Sequence, residues 1–296
     1  MNIFVVILNY NNATDTIACV DSLKSMNALN LKIVLVDNKS NKECLDELER
    51  KLGKCVTFIR NKKNLGYAAG NNVGIKYAIE NGADYIVVLN NDVVVNAHSF
   101  EPCIRMLEHN SDIAIVGPAI VDYNNNKLQS TGALIDFAKI TTPLINNGKE
   151  YVPSDSQIDC DYVGGACMIF KPDLVAKIGY IPEQYFLFWE EVEWCYRAKQ
   201  QGYRVVCSMS SYVKHKGSAT IKKVSGISAY YMERNRVLFI KRNVSRPFIR
   251  VKSIAALFVR NFFKGLLKDR RCFEYFQFYF DGLRGLDRMN NRSFRN

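Results

Sequence analysis

The first hundred residues alternate short apolar runs with stretches of helical periodicity. Ile3–Leu8, Lys32–Val36, Val56–Arg60 and Tyr85–Leu89 read as strands. Thr14–Ser25, Lys42–Leu52 and Asn71–Asn81 read as helices, the last ended by Gly82, and Asn11, Asn12 or Thr14 would cap the first. Continuous apolar strands separated by helices predict a parallel sheet buried on both faces. Ligands of such sheets bind outside the carboxyl ends of the strands. Asn9, Asp37 and Asn90–Asp92 all fall on that edge.

From Ile113 to about Ile158 the pattern loosens, with turn signals at Asn124–Asn126 and Asn146–Gly148. Tyr162–Phe170 returns to strand, Glu190–Gln201 to a helix followed by Gly202, Arg204–Cys207 to strand, and Ser228–Arg242 to a long helix. Beyond Pro247 the periodicity is helical, basic and aromatic to about Arg284. There is no internal repeat and no low-complexity linker. The expectation is an α/β domain over residues 1–243, its mostly parallel sheet flanked by helices, and a helical basic extension over residues 244–296.

Composition sharpens this in four ways. At 296 residues and 48% hydrophobic, the chain can bury a sizeable core. Met1 leads straight into a strand, and the best apolar run, Ile254–Phe263, is broken by Arg260, so neither a signal peptide nor a membrane span is expected. Nine cysteines without CxxC spacing predict buried thiols in a reducing cytoplasm, not a disulfide framework or a zinc site. The net charge of +11 is concentrated after Lys214, which suits a phosphate-bearing partner: a nucleotide diphosphate, an anionic membrane surface or nucleic acid. No helix-turn-helix, zinc or RNA-binding signature accompanies the charge, so nucleic acid is excluded.

Five stretches carry candidate chemistry. Asp37, in Val36–Ser40, follows a strand and can accept from the imide of a uracil or thymine ring, although an Asx turn is the commoner use of such an Asp. In Asn64–Asn72, Gly and Ala, Gly70 among them, would let the backbone approach a ligand, with Asn71 opening the following helix. This is neither GxGxxG nor a P-loop, which argues against a dinucleotide or phosphate-transfer site. Asp92, in Leu89-Asn90-Asn91-Asp92, offers a carboxylate to a hard cation that bridges phosphates. His215 would be a second ligand, favouring Mn²⁺ or Mg²⁺ over zinc. Glu190, Glu191 and Glu193 open a helix beside Phe188 and Trp189, where apolar neighbours raise carboxylate basicity. One of them is the candidate base for a hydroxyl attacking an anomeric carbon.

Taken together the residues resemble the family 2 glycosyltransferases of the GT-A (Rossmann-like) fold, particularly the rhamnosyltransferase-like branch. The resemblance runs through Ile7–Asn12, Val36–Ser40, Asn64–Asn72, Leu89–Asp92, Val163–Phe170, Phe186–Arg197, His215–Thr220 and Tyr230–Arg242. It implies an inverting, metal-dependent hexosyl or rhamnosyl transfer from a UDP- or dTDP-sugar. By that resemblance Asp37 reads the base, and Asn9, Tyr10 and the Asn64–Asn71 loop line the donor with Asn90 and Asn91. Asp92 and His215 hold the metal, Gly164, Gly165, Ala166 and Trp189 border the sugar and acceptor, and Arg234 reaches the diphosphate. The base position of the family matches Glu191, with Glu190 as substitute. Asn90 stands where a DxD motif has its first Asp, and a Glu where the base is usually Asp. These departures support one alternative, an impaired nucleotide-sugar-binding protein tethered at the membrane.

The tail from Ser245 to Arg288 mixes apolar residues at near-helical spacing with Arg and Lys, as a basic amphipathic helix on an anionic membrane does. Packing against the catalytic domain or a second subunit of a homo-oligomer is the competing use. Membrane contact would imply a lipid-linked oligosaccharide acceptor, as in cell-surface polysaccharide or lipopolysaccharide assembly, and a peripheral place on the inner face of the cell membrane.

Overall fold

The computed structural model describes residues 1–26, 29–217, 226–267 and 272–291. Ser218–Thr220 of the His215 motif, and Lys268, Arg270 and Arg271 of the tail, lie outside the described residues. The amino-terminal half is built from β1 (Ile3–Asn9), α1 (Ala13–Leu23), β2 (Leu31–Asp37), α2 (Lys42–Leu52), β3 (Thr57–Arg60), α3 (Gly66–Glu80) and β4 (Tyr85–Asn90). β3, β2, β1 and β4 are neighbours in that order and all parallel. Asn9 pairs with Asp37, and Leu8 with Asn90, so the polar strand ends stand abreast on one edge.

The rest of the sheet comes from β5 (Val93–Val94), β6 (Ile113–Asp122), β7 (Leu128–Ser130), β8 (Gln157–Cys160), β9 (Cys167–Phe170) and β10 (Arg204–His215), with α4 (Glu101–His109), α5 (Asp173–Ile178) and α6 (Glu190–Gln200) between them. β9 runs antiparallel between β4 and β6, and β10 is parallel to β6. β10 then pairs antiparallel with β5, setting His215 opposite Val93, next to Asp92.

Here the structure departs from the loosened reading of 113–158. Ile113–Asp122 is a ten-residue, almost wholly buried strand. Gly117-Pro118 disguises it, since proline cannot donate to a ladder. The neighbouring β10 answers with a register shift between Ser208 and Tyr212, opposite Pro118 and Ala119. The expected strand Tyr162–Phe170 is ordered as strand only from Cys167, after the Gly164–Gly165 pair. Helix α4 carried no expectation.

Alternate residues of each strand feed two cores. Ile3, Val5 and Ile7 face α1, α2 and α4, while Phe4 and Val6 face α3 and α6. Helix α3 sits close to the sheet because it carries glycine where it crosses the strands. A Cβ at Gly70 would stand 2.6 Å from a Leu8 methyl, and one at Gly74 2.4 Å from a Val6 methyl. The Gly/Ala run read as a ligand loop is therefore the opening of a helix, and Gly70 faces Leu8 rather than a donor.

The C-terminal part is helical: α7 (Ile227–Asn243), α8 (Pro247–Leu267), α9 (Cys272–Arg284) and α10 (Arg288–Asn291). A third cluster of Phe186, Tyr230, Tyr231, Tyr275 and Phe278 joins the loop before α6 to α7 and α9. All eight cysteines with described side chains are free, and seven are buried, as apolar interior thiols.

Candidate active site

At the edge where β1 and β2 end, Asn9 works as a buried bracket. Its amide donates to Asp37 Oδ1 at 2.9 Å and Ser40 Oγ at 3.0 Å, and its Oδ1 accepts from Thr16 Oγ1 at 2.8 Å. Asp37 also accepts from the Ser40 amide at 2.9 Å and the Ser40 hydroxyl. A carboxylate offers about four lone-pair sites, so roughly one remains for a ligand donor. Asn9 is fully buried and aims Asp37; it does not line a donor surface itself. Tyr10, beside it, is partly exposed.

Asn38 secures the entry to α3. Its Oδ1 accepts from the Leu65 amide at 3.0 Å and from Asn61, while its Nδ2 donates to Asn64 Oδ1 and the Gly66 carbonyl. Asn71 donates to the Tyr67 carbonyl, and its buried Oδ1 has no partner within the described residues. Asn91 donates to Thr16 Oγ1 at 2.9 Å, tying the end of β4 to α1.

Asp92 and His215 meet behind this edge. His215 Nε2 lies 3.2 Å from Asp92 Oδ1, and both side chains are largely buried. The other ring nitrogen, Nδ1, is 2.8 Å from Gln129 Oε1. Gln129 is oriented by its own NH₂, which donates to Asp122 Oδ2 at 3.1 Å and the His215 carbonyl at 3.0 Å. With an oxygen facing Nδ1, that nitrogen carries the proton and Nε2 presents a lone pair. Nε2 has no hydrogen-bond partner and points at a carboxylate oxygen, an arrangement that a cation between the two acceptors satisfies. The donor set fits a hard divalent ion. Among the described residues no third His, Cys, Asp or Glu completes a group around them, so substrate phosphate and water would fill the remaining positions. Lys216, next in sequence, is ion-paired with Asp15 at 2.6 Å.

The carboxylates of α6 sort themselves. Phe188 and Trp189 both have left-handed backbones, φ 66° and 76°, uncommon for bulky residues and frequent at functional sites. Trp189 supplies no side-chain cap, so Glu190 and Glu191 fold back toward N–H groups of the first turn. Each still has a buried Oε2 without a partner. Burial, reinforced by the neighbouring Glu191 charge, pushes Glu190 well above the usual carboxylate range. Burial raises Glu191 to about 6. Near neutrality Glu190 therefore holds the proton and Glu191 is the available base. Glu193 leaves the candidate set: burial opposes its charge, yet hydrogen bonds from Arg242, Tyr185 and Asn243 and the Arg197 charge hold it below its ordinary value.

Gly165 links the two halves. The Tyr67 hydroxyl donates to the Gly165 carbonyl at 2.5 Å, and a Cβ on Gly165 would sit 3.8 Å from the Glu191 carboxyl carbon. One residue on, the Ala166 carbonyl accepts the Asn90 amide at 3.0 Å. Gly164 is also partly open. Burial, with the carboxyl groups of α6 nearby, pushes the Tyr67 hydroxyl well above its ordinary value.

Two expected site residues sit elsewhere. Arg234 is 1% exposed; its Nε donates to the Leu286 carbonyl at 2.9 Å and its Nη1 to the Gln184 carbonyl at 2.7 Å and to Asn235 Oδ1. Asn235 donates to the Leu187 and Phe188 carbonyls, each at 2.8 Å. This pair clamps the backbone of the loop before α6, so Arg234 positions that loop and does not face a diphosphate. The Trp189 ring is buried against Phe239, 5.1 Å between centroids. Sequence reading missed Tyr67, Gln129 and Asn235. Tyr67 and Asn235 lay inside recognised stretches, while Gln129 carried no signal.

A mostly parallel sheet with Asp37 at a strand end and a carboxylate helix at α6 is the setting in which the comparisons with known proteins place the chain. The description "Glycosyl transferase family 2" matches residues 4–175, and the chain belongs to that family. It is 24% identical over 254 residues to the low-salt glycan biosynthesis hexosyltransferase Agl10 of Haloferax volcanii, covering 84% of this chain and 78% of the relative. It is 25% identical over 260 residues to the dTDP-rhamnosyl transferase RfbF of Shigella flexneri, covering 82% and 81%. Among solved structures, GalNAc-T7 with UDP, GalNAc and Mn²⁺ superposes with a TM-score of 0.59 at 18% identity, over 73% of this chain but only 44% of that one. The mannosyltransferase PcManGT of Pyrobaculum calidifontis, in complex with GDP-Man and Mn²⁺, gives 0.57 at 13% identity, over 95% and 86%. The protein is a glycosyltransferase of the GT-A fold.

Proposed function

We propose that the enzyme moves a hexosyl or rhamnosyl unit, with inversion, from a UDP- or dTDP-sugar to a hydroxyl of a lipid-linked cell-surface glycan, using Mn²⁺ or Mg²⁺. The observation that carries this reading is the presence of two features with buried polar atoms that lack a hydrogen-bond partner. One is the lone pair of His215 opposite Asp92; the other is the buried Glu190–Glu191 pair, whose Glu191 lies against Gly165. The dTDP-rhamnosyl and hexosyltransferase relatives support the donor class.

In this reading Asp37 accepts the imide N–H of the pyrimidine, held in place by Asn9 and Ser40. A divalent ion bound by Asp92 and His215 would supply charge neutralisation for the departing diphosphate. Glu191 accepts the proton of the acceptor hydroxyl as its oxygen bonds to the anomeric carbon and the carbon–oxygen bond to the diphosphate breaks. Attack opposite the leaving group inverts the centre. Glu190, kept neutral, lowers the charge beside the base and can donate a hydrogen bond. Residues 1–243 form the catalytic unit in this proposal, and 244–296 carry the membrane contact.

The test is release of nucleoside diphosphate from a panel of UDP- and dTDP-sugars with Mn²⁺, comparing wild type, Asp92→Ala and Glu191→Gln. Turnover of one donor that both substitutions abolish is expected. Wild-type turnover that persists undiminished in Asp92→Ala and Glu191→Gln would refute the assignment.

A further inference from the structure

We infer that α8 lies flat on an anionic bilayer surface through a defined apolar face. This deepens the membrane contact just proposed and rests on that reading for its biological sense. Phe248 is 80% exposed, and Val251, Val259, Phe263 and Leu266 are all about half exposed or more. At about 100° per residue, Phe248, Val259, Phe263 and Leu266 fall within a single arc of roughly 60°. Lys252 is the one charged residue on that face among the described side chains. The flank of α8 beside that arc is already used: Phe258 packs on Phe276 and Tyr279 of α9, and Phe262 on Phe276. Phe273, one turn before Phe276, is 85% exposed.

Length and charge select the occupant. Twenty-one residues make a rod about 32 Å long. No described helix is long and apolar enough to cross a membrane, so the apolar face would lie along the interface plane instead of spanning it. Residues 241–296 hold fourteen Lys and Arg against four Asp and Glu, ten of the chain's eleven net positive charges. Two copies meeting through this segment would bring like charges together, whereas anionic headgroups neutralise them. Lys252, one turn from Phe248, can extend its ammonium to headgroup level while its stem follows the apolar face.

The full chain would be floated with vesicles of phosphatidylcholine alone or with 30% phosphatidylglycerol, beside the triple variant Phe248→Ser, Val259→Ser, Phe263→Ser. Wild type is expected to bind the anionic vesicles at least tenfold better than the neutral ones. The triple variant should lose at least tenfold of that binding while keeping its melting temperature and its rate of nucleotide release. Equal binding by the triple variant overturns the inference, as does no binding of wild type to either vesicle. A wild-type dimer in sedimentation that the triple variant abolishes would assign the face to a second copy and also overturn it. Donor turnover is read separately, so failure of the membrane face and failure of the transferase reading are distinct results.

Discussion

Gln129 Oε1 sits 2.8 Å from His215 Nδ1, and the amide that places it there is locked by Asp122 and the His215 carbonyl. The side chain of a three-residue strand thereby decides which nitrogen of the histidine faces Asp92. Outer partners of this kind are typically worth about 10- to 100-fold in metal affinity. Gln129→Met should weaken Mn²⁺ binding by about that range, measured by electron paramagnetic resonance titration in the absence of donor. Nitrogen NMR of His215 should show a mixture of tautomers in the variant and one in wild type. A single unchanged tautomer would sink the positioning role.

Glu190 and Glu191 are expected to behave oppositely under amide substitution. Glu191→Gln should lose on the order of 10²- to 10⁴-fold in turnover, the span usual for a general base. Glu190→Gln mimics the protonated acid and should keep most of its rate. Because Glu191 titrates at about 6, turnover should rise with pH through about 6 and level off above it. Initial rates of diphosphate release between pH 5 and 8 read this directly.

The same elevation has a stability consequence with a definite sign. A folded-state value above the ordinary 4.5 means the fold favours the neutral acid, so stability is highest below 4.5 and falls as pH rises through 6. Glu191→Gln should therefore stabilise the protein at pH 7.5, by about 2 kcal/mol at most, visible as a melting point a few degrees higher. No change, or a loss, would mean the Glu191 charge is better solvated than its sealed Oε2 implies.

Arg234→Met should act on stability and not on donor affinity. It strips donors from the Gln184 and Leu286 carbonyls and from Asn235, a cost on the order of 3–5 kcal/mol in denaturant unfolding. A residue on the diphosphate would instead raise KM and leave the unfolding midpoint alone.

Gly74→Ala tests the close seat of α3. Its added methyl would stand 2.4 Å from Val6 and 3.1 Å from Val36, both in packed strands. Overpacking of that kind costs about 1–3 kcal/mol, measurable as a lower melting temperature.

Much of the fold could be read from local pattern. Continuous apolar runs such as Ile3–Leu8 betray a two-sided sheet, and helix boundaries near Lys42 and Ser228 follow from periodicity. The strand Ile113–Asp122 escaped because its defect, Pro118, is accommodated by a neighbour ninety residues away in sequence. Site reading had the same boundary. Asp92, His215 and the Glu190–Glu191 pair announce themselves by residue type. Local sequence says nothing of whether Arg234 points out or in, because its acceptors at Gln184 and Leu286 lie some fifty residues to either side. Gln129 illustrates the extreme: an ordinary residue in an ordinary strand, given meaning only by the ring it faces.

The clamp on the loop before α6 also imposes an order of events at synthesis. Arg234 takes one of its two backbone acceptors from Leu286. Until that carbonyl has left the ribosome, the guanidinium lacks one of its three acceptors and the left-handed turn at Phe188 and Trp189 lacks part of its brace. The sheet edge can assemble while the chain is still growing. The turn that precedes α6 is fully braced only once Leu286 has been made, so a nascent chain stalled in α9 would hold the finished Asn9–Asp37 edge and a loop before α6 still short of one brace.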